Sequence, residues 1–374
     1  MIFQLTDEQE MLQAAVRGAL ERAAPIDRVR GWLQDADSTA ATALAKHQGW
    51  AGIGVPEAAG GQGGGLVELT LAIEEHARGA VPGGLFAHAG LALPAALAAA
   101  GAQDPLVATL AAGERIALLA IDAGDPLAIP DTRASRAGSG WNLEGAITHV
   151  VGVPEADTIL VPAHADGALR LFAVPAAVTG VTWSSTADPG RRLAAIVLAG
   201  DAATLVGEEP VDLPVLAARA AVLTSADSLG AAQRMLDMTV RYLGEREQFG
   251  VLIGSFQALK HAAAEMLVEV EAARSATYFA AWSLEHGEAD ARLHASVAKF
   301  ISGDGASRVA EAALSLHGAV GFTWEHDLHF LYKRAKVNLS LFGSPGRHRR
   351  AIGDALIASS RQMPAGDASG PIAS

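Results

Sequence analysis

The chain has no cysteine, which excludes disulfides and thiolate metal sites. His326 and His329 lie three residues apart after Glu325, a spacing that puts two metal ligands on one helical turn. Two histidines without a third placed ligand make a thin pattern, and no metal is expected. Arginine is the more telling residue. Arg246, Arg334, Arg347, Arg349 and Arg350 gather late in a chain that carries 41 acidic against 28 basic residues. A net charge of −13 argues against binding along a nucleic-acid backbone. It leaves room for a phosphate-bearing ligand in one local basic pocket, and the late arginines mark where to look. Glu74 and Glu75 form an adjacent acidic pair whose expected role is structural, against basic groups or solvent.

The elements that must hold these residues divide by proline. Eight prolines fall between Glu114 and Pro214, and none between Val215 and Ser344. Proline is expelled from helix interiors and tolerated at turns and strand edges, so the late segment reads as a helical bundle and the middle one as β-rich. The late periodicity is clear. Leu216, Ala220, Leu223, Ala226, Leu229, Gln233, Leu236, Val240 and Leu243 alternate spacings of three and four, one face of a long helix. Ala262–Glu285 and Ala291–Leu314 read as two more, separated by His286-Gly287-Glu288. The middle segment shows short runs at Ile116–Ile121, Thr158–Pro162, Leu169–Val174 and Ala194–Leu198. The turns Gly138-Ser139-Gly140 and Ala165-Asp166-Gly167 support a compact antiparallel unit.

The first segment reads as helices joined by glycine-rich loops. Thr6 to Gln9 has the pattern of a capped helix start, followed by a stripe at Met11, Ala15, Ala19 and Ala23. Gly60 to Gly65 must be loop, and Leu66 to Ala77 resumes as helix. The apolar run Ala80–Ala100 is interrupted by Pro82, Gly83, Gly84, His88, Gly90 and Pro94. It cannot form an unbroken helix of about 20 residues, so no membrane insertion is expected. Met1 to Glu10 carries no basic n-region and reads as mature protein. With the lack of cysteine, this suggests a cytoplasmic location.

Five motifs in order then resemble the acyl-CoA dehydrogenase family, spanning roughly Leu5 to Arg350. They begin with Gly49-Trp50, Val55-Pro56-Glu57, Gly60-Gly61 and Glu74-Glu75. Gly140-Trp141-Asn142-Leu143-Glu144-Gly145, with Ala156-Asp157, follows in the middle. The most specific is Arg246-Glu247-Gln248-Phe249-Gly250 with Ile253-Gly254-Ser255-Phe256-Gln257. Leu316-His317-Gly318-Ala319-Val320-Gly321-Phe322-Thr323-Trp324-Glu325-His326-Asp327 completes the set. The resemblance implies an α+β, mostly α fold: an N-terminal helical domain over 1–113, a central antiparallel β-barrel or sandwich over 114–212, and a C-terminal four-helix bundle over 213–360. A flexible tail is expected over 361–374. Trp50, Trp141 and Trp324 are expected to pack in the core.

It also implies FAD at a subunit interface of a tetramer, an acyl-CoA substrate, and electron-transfer flavoprotein as electron acceptor. Arg246, Gln248, Phe249, Gly250, Phe256, Gln257, His317, Gly318, Ala319 and Gly321 would bind the FAD of a neighbouring chain. Arg246 has the planar fork that suits phosphate oxygens, and the glycines let backbone approach closely. The family removes an α-proton with a glutamate and passes hydride from the β-carbon to flavin.

Both family positions for that glutamate are empty of acid here: one falls on Gly343, the other on Ala220. The cis flavin loop, usually close to Thr-Glu-Pro-x-x-Gly-Ser-Asp, reads Ala120-Ile121-Asp122-Ala123-Gly124-Asp125-Pro126. A second cis segment is replaced by Ile147-Thr148-His149-Val150-Val151-Gly152. In the glycine motif, Ser315 stands for the usual glutamine and Ala319 for a glycine. The pattern is similar to the heteromeric acyl-CoA dehydrogenases of actinobacterial steroid catabolism, in which only one of two paired chains carries the base. The expected role is therefore a partner subunit of a catalytic paralogue. The alternatives are a self-sufficient homotetramer with a different base, or a flavin-free assembly protein.

Overall fold

Thr6 opens the first helix through a reciprocal capping box: its hydroxyl accepts the Gln9 N–H, and the Gln9 side chain accepts the Thr6 N–H. The computed structural model describes residues 4–177 and 180–362, so the expected tail lies almost wholly outside them. Helix α1 (Asp7–Ala23) buries Val16, Ala19 and Leu20, whereas Met11 is exposed. Of the expected stripe Met11, Ala15, Ala19 and Ala23, Ala19 is buried, Ala23 is half-buried, and Met11 and Ala15 are exposed, so the core face runs through Val16, Ala19 and Leu20 instead. Helices α2 (Ile26–Gln34) and α3 (Thr39–His47) lead through the glycine loop to α4 (Leu66–Arg78), nearly all of which is buried. The run expected to be broken resumes as α5 (Leu85–Ala87), a π-helical turn at His88–Ala92, and α6 (Leu93–Ala100), followed by α7 (Pro105–Ala111).

The middle segment makes strands β1 (Ala117–Leu119), β2 (Arg133–Ala137), β3 (Gly140–Gly152), β4 (Thr158–Ala165), β5 (Ala168–Pro175), β6 (Val181–Ser185) and β7 (Arg192–Leu205). Strand β4 pairs with β5, β5 with β7, β7 with β3, and β3 with β2. A single bridge between Arg133 and His164 returns β2 to β4 and closes a ring. The hairpins turn where glycine predicted, at Gly138 and at Asp166-Gly167, both with positive φ. The two pairings of β4 with β1 and β2 are parallel, against the expectation of antiparallel pairing throughout. Turn chemistry announces hairpins but carries no information on which distant strands meet.

Helices α8 (Leu213–Glu245), α9 (Gln257–Glu285) and α10 (Ala291–His317) pack on one another, with α11 (Leu328–Asn338) across them and α12 (Pro345–Gln362) against α10. A two-stranded hairpin, β8 (Glu247–Gln248) and β9 (Val251–Leu252), sits inside the proline-free segment. Helix α8 is long and apolar enough to cross a membrane, but 89% of its most apolar stretch is buried within the chain. The reason is α4, which packs along it together with α9 and α10. Glu74 on α4 binds Arg274 at 2.8 Å and Tyr278 at 2.6 Å, and Glu75 takes a two-bonded contact from Arg17. The acidic pair is structural.

Four buried charges join the three segments. Arg334 on α11 binds Asp188 of the β6–β7 connection at 2.8 Å, and Arg191 binds Asp227 on α8 at 2.5 Å. Arg334 lies 4.0 Å from Asp227 and also donates to the Val81 carbonyl of the N-terminal segment. Burial would raise the Asp227 carboxyl, but the Arg191 and Arg334 guanidiniums outweigh it and hold it below its usual value. Breaking a buried pair strands a charge, so Asp188→Ala should cost about 3–5 kcal/mol in urea unfolding. A loss below about 1 kcal/mol, the range of surface pairs, would contradict this role.

His88 links α7 to β1: one ring nitrogen faces the Leu110 carbonyl at 3.0 Å and the other accepts the Ala117 N–H at 3.0 Å. That pattern requires a neutral ring. Burial pushes both His88 and His76 down to about 4. The unfolded chain, with histidines near their ordinary 6.5, therefore takes up protons that the folded chain refuses. Stability should be full above pH 6.5 and fall as pH drops toward 4. Thermal melts across that window check it; a flat melting temperature would contradict it.

Candidate functional site

The arginine motif begins where α8 ends. Arg246 leaves the helix with extended backbone (φ −78°, ψ 128°), and its carbonyl accepts the Ile253 N–H at 2.8 Å, closing a small loop. At the tip, Phe249 (φ 54°) and Gly250 (φ 77°) are both left-handed, the conformation of a two-residue hairpin turn. This geometry pushes the motif outward. Phe249 is 92% exposed, Phe256 is 39% exposed, and their rings meet edge to face at 6.2 Å. Arg246, Gln248 and Gln257 are also exposed. The Gln248 amide donates only to the neighbouring Glu247 carbonyl.

The glycine motif ends α10 at the same end of the bundle, where Tyr242 of α8 stacks on His317 at 4.6 Å. Gly318 adopts φ 61°, ψ −143°, a region open to glycine, and faces open space. Gly321 is closely packed: a Cβ would lie 3.0 Å from that of His317 and 3.3 Å from Leu314 and Leu328. Ala319 is exposed. His317 is buried. Its Nδ1–H donates to the Ala313 carbonyl at 2.8 Å, leaving Nε2 buried and unpartnered. Burial lowers its pKa, so Nε2 presents a lone pair with no donor from this chain. Trp50 and Trp141 are buried as expected, but Trp324 is 70% exposed, touched by the Lys333 ammonium and the His329 ring. With Phe322, 71% exposed, it belongs to an apolar fringe beside the glycine motif. Among the described residues no group of three or more histidines and acids could hold a metal.

The two base positions flank one cleft of about 350 Å³ between α8, α10, the start of α12 and the loop at Pro126-Leu127. Ala220 is fully buried in α8, and its neighbours Ala217, Ala218 and Ala221 line the cleft. Gly343 follows Phe342, another wall residue. None of the lining residues is acidic; the charged ones are Arg292 and Arg347, with the His348 imidazole beside them.

The backbone at 343 is itself unsuited to a side chain. Its φ is +103°, and a Cβ would fall 2.6 Å from His348 Nε2. That nitrogen faces the Phe342 carbonyl at 3.0 Å and so carries the hydrogen; burial holds the ring neutral, down to about 4. From below, the Lys299 ammonium donates to the carbonyls of Asn338 at 2.9 Å and Gly343 at 3.2 Å. Lys299 is fully buried, and burial pushes it down to about 7. The sequence motifs single out neither residue. Lys299 is legible in principle, because it falls on the same stripe as Ala295 and Ser302, the buried face of α10.

On the other side, the loop in the cis-flavin position is satisfied by its own partners. The Asp122 carboxylate accepts the N–H groups of Gly124 and Asp125 and the Thr148 hydroxyl, and contacts His149. Thr148 and His149 reach it through a bulge in β3 opposite β7, where His149 has φ 55°. Asp125 is taken by Arg347 at 2.5 Å.

Family models agree with this layout. The acyl-CoA dehydrogenase N-terminal domain matches residues 6–106, and the C-terminal domain of the same family matches residues 217–357. The chain belongs to the acyl-CoA dehydrogenase family. Acyl-CoA dehydrogenase IpdE2 of Mycobacterium tuberculosis is 33% identical to it, covering 91% of this chain and 94% of that protein. Among solved structures, a variant of the Tcur3481-Tcur3483 steroid acyl-CoA dehydrogenase is 29% identical, with a TM-score of 0.84 over 95% of this chain and 99% of that one. The ChsE4-ChsE5 complex of Mycobacterium tuberculosis is 26% identical, with a TM-score of 0.85 over 98% of this chain and 100% of that one. The protein is an oxidoreductase of the flavoprotein family that acts on CH–CH bonds.

Placing a carboxylate at Gly343 should therefore strain this acyl-CoA dehydrogenase rather than equip it. Gly343→Glu is expected to lose about 1–3 kcal/mol in urea unfolding, and His348→Ala in the same background to recover part of it. An unchanged midpoint for the single variant would contradict the geometry.

Proposed function

We propose that this chain is the partner subunit of a heteromeric, FAD-dependent acyl-CoA dehydrogenase, supplying half of a flavin site and no base. The observation that carries the reading is the asymmetry of its two surfaces. The cleft where an α-proton would be removed is walled without any acid. The opposite motif stands outward with a guanidinium, two amides and an exposed Phe pair, over a buried imidazole nitrogen that has no partner. The Tcur3481-Tcur3483 and ChsE4-ChsE5 structures each name two chains, which supports pairing with a paralogue.

These residues fit FAD. Arg246 would hold the pyrophosphate through its fork. Gln248 and Gln257 would orient polar edges, and Phe249 and Phe256 would cover ring surface and exclude water. The exposed Gly318 and Ala319 would let the backbone approach the cofactor closely, with His317 packed beneath them. Bound FAD supplies the hydride acceptor for α,β-dehydrogenation of the acyl thioester, and the catalytic chain supplies the carboxylate that takes the proton. Electron-transfer flavoprotein is the proposed electron acceptor. Asp125, beside the cleft-lining Pro126, is already engaged in an ion pair with Arg347.

The visible absorbance spectrum tests the proposal. The chain purified alone is expected to be colourless, and the chain co-purified with a base-bearing paralogue yellow. Arg246→Gln should weaken flavin retention by the pair about tenfold or more. A stoichiometric flavin band in the chain alone, or undiminished retention in the variant, would overturn the assignment.

A further inference from the structure

The base-free cleft is not charge-free. Its floor is apolar and small-walled, made by Ala217, Ala218 and Ala221 of α8 with Leu293 and Phe342. Its charged groups are cationic. Arg347 is neutralised by Asp125, whereas Arg292 is exposed and has no carboxylate partner among the described residues. Arg292 sits in the first turn of α10, where the positive end of the helix dipole adds to its own charge. An apolar body in this cleft would thus bring any anionic end beside an unpaired guanidinium and a helix N-terminus, with no lining acid to repel it.

We infer that the cleft binds an apolar molecule bearing a carboxylate, held at Arg292, as a ligand that this chain retains without converting. The inference rests on the reading of the cleft as base-free, and is independent of whether the chain helps to bind flavin. The space a side chain at 343 would take is filled by His348, so a molecule held here meets a neutral imidazole and no carboxylate.

Calorimetric titration of the full chain with octanoate and with 1-octanol tests it without flavin. Octanoate is expected to bind about tenfold or more tightly than 1-octanol. Arg292→Gln, a change on an exposed helix turn, should erase that advantage while leaving 1-octanol binding as it was. Equal affinities, an advantage that survives the variant, or binding of neither molecule would overturn the inference. Suberate and suberoyl-CoA then distinguish sources: tighter suberoyl-CoA assigns the carboxylate to the far end of an acyl thioester, and equal or tighter suberate assigns it to a free acid. The flavin spectrum above stands or falls separately, because no step of this titration involves flavin.

Discussion

The structure hangs on four charges buried where three segments meet. Asp188 and Arg191 come from the β segment, Asp227 from α8 and Arg334 from α11, and Val81 of the N-terminal segment lends a carbonyl. Burying ions is costly unless each finds an opposite partner, so these segments have few alternative ways to dock. The cluster also reaches the cleft by two routes. Asn338 donates to Asp227 through its side chain while its carbonyl receives Lys299, which holds the Gly343 loop. Arg191 lies over Phe86, and Phe86 packs on Phe342. The loop from which the family base would project is therefore tied to the centre of the molecule, and its glycine conformation is held by what surrounds it.

That constraint bears on the proposed absence of a base. The cleft has no carboxylate among its lining residues, and around it stand a buried alanine in α8, a left-handed glycine at 343, a histidine in the space a side chain would occupy, and a loop whose aspartates already have partners. The arginine motif proposed to face flavin, at the other end of α8, makes none of these contacts. Tyr242 on His317 aligns the ends of α8 and α10, and the β8–β9 turn carries Arg246, Gln248 and Phe249 clear of the surface. One surface can lose its chemistry while the other keeps its shape.

Local rules make much of this readable in advance. The capping box at Thr6, the hairpin turns at Gly138 and Asp166, and the period of α8 each encode themselves within a few residues. The assignment of Gly343 and Ala220 as base positions rests on type and spacing alone and belongs to the proposal. What cannot be read is long-range. In α1 the alanine stripe lies beside Val16 and Leu20, and small residues alone do not say which of the two faces the core. The parallel pairing of β4 with β1 depends on chain crossing that no turn residue marks. Lys299 and the Arg191–Asp227 pair act through residues distant in sequence, His348 folds back onto Phe342 through a turn that no motif marks, and Trp324 reads as core although it is exposed. The site is legible as a set of motifs but not as a geometry.

The central claim is that this chain contributes flavin-binding surface and no base. Anaerobic mixing of the purified hetero-complex with its acyl-CoA substrate, followed as bleaching of the flavin band, tests it most directly. With the glutamate of the paralogue replaced by glutamine, the account predicts that bleaching is lost while the complex stays yellow. Bleaching that persists at an appreciable rate would place a working base in this chain and contradict the account.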